Sequence, residues 1–183
     1  MAVVSTTPDG LNLSLPTSEI SQAAGEKLNS DADVAHSVAG TITSLDPTDI
    51  AVSLNASDGL LHDLDGATLR NEGLDTFHNT PARLLELKLV VHLSKADAAR
   101  VKEANSTMKM WLGEDGTPLA AETRRSLHGR IMLIGFDITE TDSKTFAVLG
   151  NRLMTVSEDK INDSSGFGAK THLEQITTIR PKN

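Results

Sequence analysis

Two turns that contain glycine lie within residues 107–157, and they constrain the fold more than any other feature of the sequence. The first turn is GEDG at 113–116, between the runs TMKMWL and TPLAAET. The second is Gly150-Asn151, between FAVL and RLMTV. Two β-compatible runs joined by a short loop that contains glycine are the usual signal of a β-hairpin. We therefore predict a series of antiparallel strands in this stretch, with the rest of the chain attached to it.

The first hairpin is predicted to have one apolar face and one mixed face. Pairing Leu112 with Thr117 places alternate side chains on the same side of the two strands. Trp111 then lies on the mixed face, where it either covers other residues or is partly exposed. The apolar face carries Met108, Met110, Leu119 and Ala121.

The second hairpin indicates a sheet that is covered on both sides. Pairing Leu149 with Arg152 makes both faces of this hairpin largely apolar, as in strands that have neighbours above and below. The run GRIMLIGFDIT at 129–139 is apolar in its centre, so we predict one central strand there. Further strands are predicted at 38–45, 50–56, 67–72, 82–91 and 171–181, with a loop at 73–80.

Two helices are predicted outside these strands. Ser94 and Asp97 form a variant of the capping box, in which the Ser94 side chain accepts a hydrogen bond from the Asp97 amide. This box opens KADAARVKEA, a helix of about three turns at 95–104. A shorter helix is predicted at 18–28, where the apolar residues share one face. Residues 60–66 fit neither a helix nor a strand clearly.

The predicted fold class is α+β. A single curved antiparallel sheet, an incomplete barrel built as a meander, is expected to carry one or two helices packed against it. A chain of 183 residues is long enough to bury an apolar core without disulfides or metals. We assign residues 31–183 to this β-rich domain and residues 1–30 to a leader segment, partly disordered or one short helix. For residues 1–16 partial disorder is favoured, with an edge strand around Leu11, Leu13 and Leu15 as the alternative.

The composition excludes several classes of function. The net charge of −8 argues against nucleic-acid binding, because a surface that follows a phosphate backbone needs clustered lysine and arginine. Cysteine is absent, which excludes disulfides and a thiol nucleophile. No run approaches the roughly 20 apolar residues of a membrane span. The given chain shows no signal peptide, but its Ser- and Thr-rich start is typical of a mature secreted protein, and we expect a periplasmic or secreted location.

No motif in the sequence indicates a catalytic residue, a metal ligand or a cofactor. The 6 histidines lack the short spacings of a metal site on one helix or strand. A G-x-S-x-G nucleophile turn is missing. The stretch SSGFG at 164–168 lacks the lysine of a phosphate-binding loop, and we predict a flexible hairpin loop there. We therefore predict no catalytic residues, no metal and no cofactor, and an enzyme is the less favoured class.

A set of short motifs resembles a known family. Trp111-Leu112, the turn at 113–116, Pro118-Leu119 and the hairpin about Gly150-Asn151 follow one another as in the central meander of the periplasmic half-barrel proteins of the LolA type. That family includes lipoprotein carriers and related sensor and lipid-binding domains, and the resemblance covers about residues 82–181. It implies an incomplete antiparallel barrel with a helical lid over an apolar concave face. The carriers line that face with many aromatic side chains, whereas this chain has only 4 Phe and 1 Trp. No ligand residue is carried over from the family.

The favoured hypothesis is a non-enzymatic binding module whose concave face holds a lipid, a lipoprotein or an apolar segment of a partner protein. Methionine adapts to irregular ligands, so a face that carries methionines suits this role. One alternative is an interaction or adaptor protein with a filled core and no ligand. Another is an enzyme on the same scaffold, for which four polar residues would have to converge in a pocket: Glu122, Arg124, Arg130 and Asp137. The candidate ligand-lining residues are Met108, Met110, Leu119, Ile131, Leu133, Phe136, Phe146 and Val148.

Overall fold

The computed structural model describes residues 3–7, 10–14, 16–27, 53–132, 134–166 and 168–180. The chain divides into two compact units, Met1–Val52 and Ser53–Asn183.

The described part of the first unit contains a β-hairpin and a helix. Strands β1 (Val3–Thr7) and β2 (Gly10–Ser14) pair antiparallel, and helix α1 (Thr17–Lys27) follows them. The helix predicted at 18–28 is therefore confirmed, and β2 corresponds to the edge strand that was the alternative for residues 1–16. The strand predicted at 38–45 lies outside the described residues.

The second unit is built on one antiparallel sheet of 7 strands in the order β3-β4-β5-β6-β7-β8-β9. Each strand pairs with the next one along the chain, so the sheet is a meander. The first and last strands are not paired with each other, so the sheet is open rather than a closed barrel. The strands are β3 (Thr68–Phe77), β4 (Thr80–Lys88), β5 (Val101–Leu112), β6 (Pro118–Ile131), β7 (Ile134–Leu149), β8 (Arg152–Gly166) and β9 (Ala169–Thr178).

Two short helices accompany this sheet. Helix α2 (Ala56–Asp63) packs against β8, and helix α3 (Lys95–Ala98) lies beside β5. This arrangement confirms the predicted fold class, α+β with a single open antiparallel sheet and helices against it. Within the ranges that the model describes, no helix has both the length and the apolar character needed to span a bilayer.

The helix predicted at 95–104 is wrong in its length. Ser94 caps it as predicted, with its Oγ accepting a hydrogen bond from the Asp97 amide at 3.1 Å. The helix ends at Ala98, and the chain enters β5 at Val101. The long β5 pairs with β4 and β6, and this tertiary pairing outweighs the helix propensity of the sequence.

A tight turn divides the stretch that was predicted as one central strand at 129–139. β6 ends at Ile131 and β7 begins at Ile134, so this prediction is wrong. Met132 lies in the turn with a φ angle of 56°. The apolar run therefore holds the facing ends of two paired strands rather than the centre of one.

The loop predicted at 73–80 is also wrong, because β3 continues to Phe77. The chain reverses at His78 and Asn79, whose φ angles are 49° and 64°. Histidine and asparagine are enriched in this left-handed region, so the hairpin closes without a glycine. The strand predicted at 67–72 is confirmed as the start of β3.

Two further predictions fail around α2 and at the end of β8. The strand predicted at 50–56 is wrong in its described part, because residues 53 and 54 are helical and α2 begins at Ala56. In the predicted loop at 164–168, Ser164 to Gly166 belong to β8 instead. β8 therefore continues almost to the beginning of β9.

The predicted turns at 113–116 and at Gly150-Asn151 are both present, and the register of one hairpin differs from the prediction. Leu149 pairs with Arg152 across Gly150, as predicted. In the first hairpin Met110 pairs with Ala121 rather than with Leu119, a shift of two residues that a β-bulge next to the turn accommodates. A shift of two residues leaves each side chain on its face, so the apolar face is retained.

The sheet has two different faces. The core face carries Met108, Met110, Ala121 and Phe146, all 6% exposed or less. The opposite side, which carries Trp111, is called the tryptophan face below. Helix α2 covers part of the core face and contributes to the same buried cluster. Other members of this cluster are Ala56 and Leu60 of α2 and Leu87, Leu89 and Leu112 of the sheet region.

Candidate functional site

Helix α2 forms one wall of the candidate site. Leu60 and Leu64 are four residues apart, so their side chains lie on the same face of the helix. Leu60 is 8% exposed within the core, and Leu64 packs against the core cluster. The neighbouring Leu61 is 68% exposed. The helix therefore fills part of the core face and presents further leucine surface beside it.

An open cleft of about 450 Å³ lies between α2 and two turns of the sheet. One turn joins β5 to β6, and the other joins β7 to β8. Leu61 and Val148 line the cleft although both are largely exposed, at 68% and 54%. The cleft is therefore an apolar surface that the chain leaves open to solvent. Its apolar lining consists of Leu60, Leu61, Leu64, Met110, Pro118, Val148 and Leu153.

The polar part of the cleft comes from Ser57, Thr117, Asn151 and Arg152. Asp115 fixes Thr117, because it accepts hydrogen bonds from the Thr117 amide at 2.9 Å and from its Oγ1 at 2.8 Å. These bonds, the amide bond foremost, lower the pKa of the Asp115 carboxyl. These hydrogen bonds hold the turn between β5 and β6 in a fixed conformation at one side of the cleft.

Arg152 is the only charged residue that the described part of the chain contributes to the lining of the cleft. Its side chain is exposed, and its guanidinium makes no ion pair or hydrogen bond within the described ranges. An unpaired guanidinium has all of its donors available, and these match the geometry of a carboxylate or phosphate. The cleft therefore combines an apolar lining with a cation, Arg152, that has no partner among the described residues.

The structure places the candidate ligand residues at several different positions. Met110 and Val148 line the cleft. Met108 and Phe146 are buried in the core at 2% and 6% exposure, and neither lines the cleft. Leu119 is half-buried next to the turn between β5 and β6 and does not line the cleft either.

The remaining candidates belong to the other end of the sheet. Ile131 is half-buried and pairs with Ile134 at the turn between β6 and β7. Phe136 is half-buried and pairs with Gly129 and Gly166. Phe136 is 10 residues from Phe146 along β7, which corresponds to about 33 Å of strand. Leu133 lies outside the described residues.

The polar residues that an enzyme would need are spread along the tryptophan face. Glu122 and Arg130 are separated by about 26 Å of β6, at roughly 3.3 Å per residue. Arg124, Arg130 and Asp137 are exposed, and none of them lines the cleft. Asp137 contacts His128 instead, with 2.7 Å between Oδ1 and Nδ1. These residues do not converge in a pocket.

A chain of ion pairs crosses β7 and β8 on the core face. Lys144 Nζ lies 2.9 Å from Asp142 and 3.3 Å from Glu158, and Lys160 lies 3.2 Å from Glu158. Burial raises the pKa of Asp142, against the attraction of Lys144. Burial also lowers the pKa of Lys144, but the carboxylates of Asp142 and Glu158 outweigh it and the pKa is raised. This network holds charge inside the sheet next to the apolar core.

No protein-family model, curated protein or solved structure matches this chain. The resemblance to the half-barrel carriers therefore stays a prediction. Across the described ranges, His, Asp and Glu side chains form no group of 3 or more that could hold a metal ion. The apolar cleft is accordingly the feature on which a function can be argued.

Sequence reasoning missed the wall of the cleft that α2 supplies. Ala56, Leu60 and Leu64 recur every four residues, which is the spacing of one helix face. The strand interpretation of residues 50–56 ended inside this pattern and concealed it. The rim residues Asn151 and Arg152 were predicted as part of a hairpin but were not assigned to a site.

Proposed function

We propose that the protein is a non-enzymatic binding module that holds the acyl chain of a lipid in the cleft beside α2. The observation that carries this proposal is an apolar lining left open to solvent, with an arginine, Arg152, that has no partner within the described ranges. Apolar pockets of about 300–1,000 Å³ with a few polar groups are the usual form of small-molecule sites. The volume of about 450 Å³ lies within this range.

The apolar lining supports a flexible hydrocarbon chain as the ligand. Among the described residues it consists of aliphatic side chains and one methionine, with no aromatic ring that would favour a sugar or a nucleobase. Burying hydrocarbon in such a cleft contributes about 25 cal/mol per Å² of apolar surface removed from water. Leu61 and Val148 would lose the most solvent-exposed apolar surface on binding, since both are largely exposed without a ligand.

Arg152 supports an anionic head group on that chain. A guanidinium at a partly exposed site forms a charge-assisted hydrogen bond with a carboxylate or phosphate. Asn151 and Thr117 add further polar groups to the lining of the cleft. A long-chain fatty acid has the simplest structure that combines these features, and it is the probe that we choose.

The family resemblance and the cellular location belong to the same proposal. An open antiparallel meander with a helix on one face supports a half-barrel binding protein, and that resemblance supports a periplasmic or secreted setting. A lipoprotein or an apolar segment of a partner protein would use the same lining, and no nucleic acid is proposed as a partner.

The proposal is tested with a fluorescent fatty acid titrated into delipidated protein. We expect saturable binding that Val148→Asp weakens at least about tenfold, which corresponds to roughly 1.4 kcal/mol. The control is Leu74→Asp, because Leu74 is 96% exposed on the sheet and lies outside the cleft. Arg152→Gln is expected to weaken fatty-acid binding about 3- to 10-fold and to leave the matching fatty alcohol unaffected.

Two results would overturn the proposal. One is the absence of saturable binding together with no co-purified lipid in the mass spectrum of the freshly isolated protein. The other is equal loss of binding in Val148→Asp and Leu74→Asp, because this would place the fatty acid elsewhere on the surface.

A further inference from the structure

Strand β9 presents an exposed edge of the sheet. It pairs with β8 on one side, and among the described strands none lies on its other side. Its pairing with β8 runs from Ala169 to Thr178 without a bulge. Leu173 and Ile176 are 58% and 67% exposed on this strand. A long, regular edge with exposed apolar side chains is a template for pairing with another strand.

The opposite edge of the sheet is less suited to this role. Strand β3 has a bulge between Leu69 and Asn71, and Gly73 lies in its middle. Bulges and glycines interrupt the regular row of backbone groups that a partner strand needs. β9 contains neither, and its threonines and isoleucine favour extended backbone.

The charges on β9 are complementary to a second copy of the same strand. Lys170, His172 and Glu174 share the tryptophan face, since alternate residues of a strand lie on one side. Lys170 and Glu174 are equally far from His172. An antiparallel pair of β9 strands centred on His172 therefore places each Lys170 opposite the Glu174 of the other copy.

A register centred on Glu174, two residues further along β9, is less favourable. Centring the pair on Glu174 would place the two Glu174 carboxylates opposite each other, and directly opposed like charges destabilise a sheet. Centring on His172 also places Thr171 opposite Leu173 on the other face, so the exposed Leu173 gains a neighbour. His172 already contacts Asp163 at 2.6 Å, so each imidazole brings its own counter-ion to the centre.

We propose that two copies of this chain associate through β9, antiparallel about His172, so that their sheets become one continuous sheet. The occupant of the edge is a second copy because its charges match in pairs. This inference does not depend on the cleft or on its ligand. A contact between two single strands buries less surface area than a standard protein interface. We therefore expect a weak dimer with a Kd on the order of 10 µM.

Charge reversal tests the register as well as the dimer. Lys170→Glu and Glu174→Lys each create two like-charge contacts across the two-fold axis, so each variant alone is expected to be monomeric. Mixing the two restores both opposite-charge contacts, and a heterodimer is expected. Lys170→Glu/Glu174→Lys in one chain should restore the homodimer.

Sedimentation velocity over a concentration series measures the assembly. Arg70→Glu is the control, since Arg70 is exposed on the β3 edge and its variant should dimerise like the parent chain. Circular dichroism checks that each variant is folded, which we expect because both positions are exposed. The proposal is overturned if the parent chain stays monomeric up to about 1 mM, if both single variants remain dimeric, or if their mixture fails to associate.

Discussion

Phe136 lies across Gly129 on the neighbouring strand. A Cβ atom on Gly129 would come within 2.4 Å of Phe136 Cζ and within 2.5 Å of the Arg100 carbonyl oxygen. The ring therefore uses the space that the glycine leaves free. Phe136 was a candidate ligand residue by sequence. Its ring instead packs against Gly129, at the end of the sheet that is remote from the cleft.

Gly129→Ala is expected to destabilise the fold by about 1–3 kcal/mol, because the added methyl group has to displace both the ring and a backbone carbonyl. Gly135→Ala is the matched control, since its Cβ would meet nothing closer than 3.9 Å. Urea unfolding followed by circular dichroism measures the free energy of unfolding of each variant. Equal stabilities would contradict the packing of Phe136 over Gly129.

Leu60→Ala is expected to reduce the free energy of unfolding by about 2–5 kcal/mol, because the leucine is buried between α2 and the sheet. The adjacent Leu61→Ala should reduce the free energy of unfolding far less, since Leu61 is 68% exposed. Chemical denaturation compares the two variants. If they lose the same stability, α2 does not dock on the core face in the observed orientation.

Trp111→Phe is expected to raise the pKa of Asp75 toward its ordinary value. The indole Nε1 donates a hydrogen bond to Asp75 Oδ2 at 2.8 Å, and this bond is the main reason why the pKa of the carboxyl is lowered. The pKa of Asp75 is lower in the folded state than in the unfolded state. The hydrogen bond therefore stabilises the fold at pH values above the unfolded pKa. This stabilisation is lost as the pH falls through the folded pKa.

An NMR titration of the Asp75 side chain in both proteins measures this change. Trp111→Phe keeps an aromatic ring near Phe77, whose ring centre lies 5.8 Å from that of Trp111. The phenylalanine variant therefore removes the donor with little loss of packing. An unchanged Asp75 pKa would show that the indole hydrogen bond is not formed in solution.

Lys144→Met is expected to destabilise the fold by about 1–3 kcal/mol at neutral pH, less than for a fully buried pair because its side chain is 26% exposed. Without Lys144, the pKa of Asp142 rises further. A carboxyl whose folded pKa lies above its unfolded pKa stabilises the fold as the pH falls, since the folded state then binds the proton more tightly. The loss of stability in Lys144→Met should therefore become smaller as the pH is lowered from neutral to the ordinary range of a carboxyl pKa.

Unfolding experiments at several pH values compare Lys144→Met with the parent chain. Lys160→Met is the control, because Lys160 contacts only Glu158 in this network and is 38% exposed. Its effect on stability should be smaller. A stability loss in Lys144→Met that stays constant with pH would contradict the buried charge on Asp142.

Local turn chemistry made much of the sheet predictable. The glycine at Gly150 has a φ angle of 64°, so its position fixed the second hairpin and its register. The first hairpin was placed correctly, but its register was not, because a bulge changes the pairing without a distinctive residue. Alternation of apolar and polar residues likewise indicated β4, whereas the alternation in β9 was imperfect and left its register open.

The errors arose where tertiary pairing outweighs local preference. The residues after Ser94 are good helix formers and have a proper cap, yet pairing of β5 with two neighbours ends the helix after one turn. The candidate site was predictable in part. Met110 and Val148 followed from the alternation of the sheet, whereas Leu61 and Leu64 depended on a helix too short to distinguish from a strand.

The proposed site for an acyl chain with an anionic head group is the cleft beside α2. Methyl-labelled NMR spectra recorded during a titration with a long-chain fatty acid report on this site residue by residue. We expect saturable shifts of the Leu61, Val148 and Leu153 methyl groups, and none at Leu74 on the far edge strand. Shifts confined to residues outside the cleft, or no saturable shifts at all, would contradict this proposal.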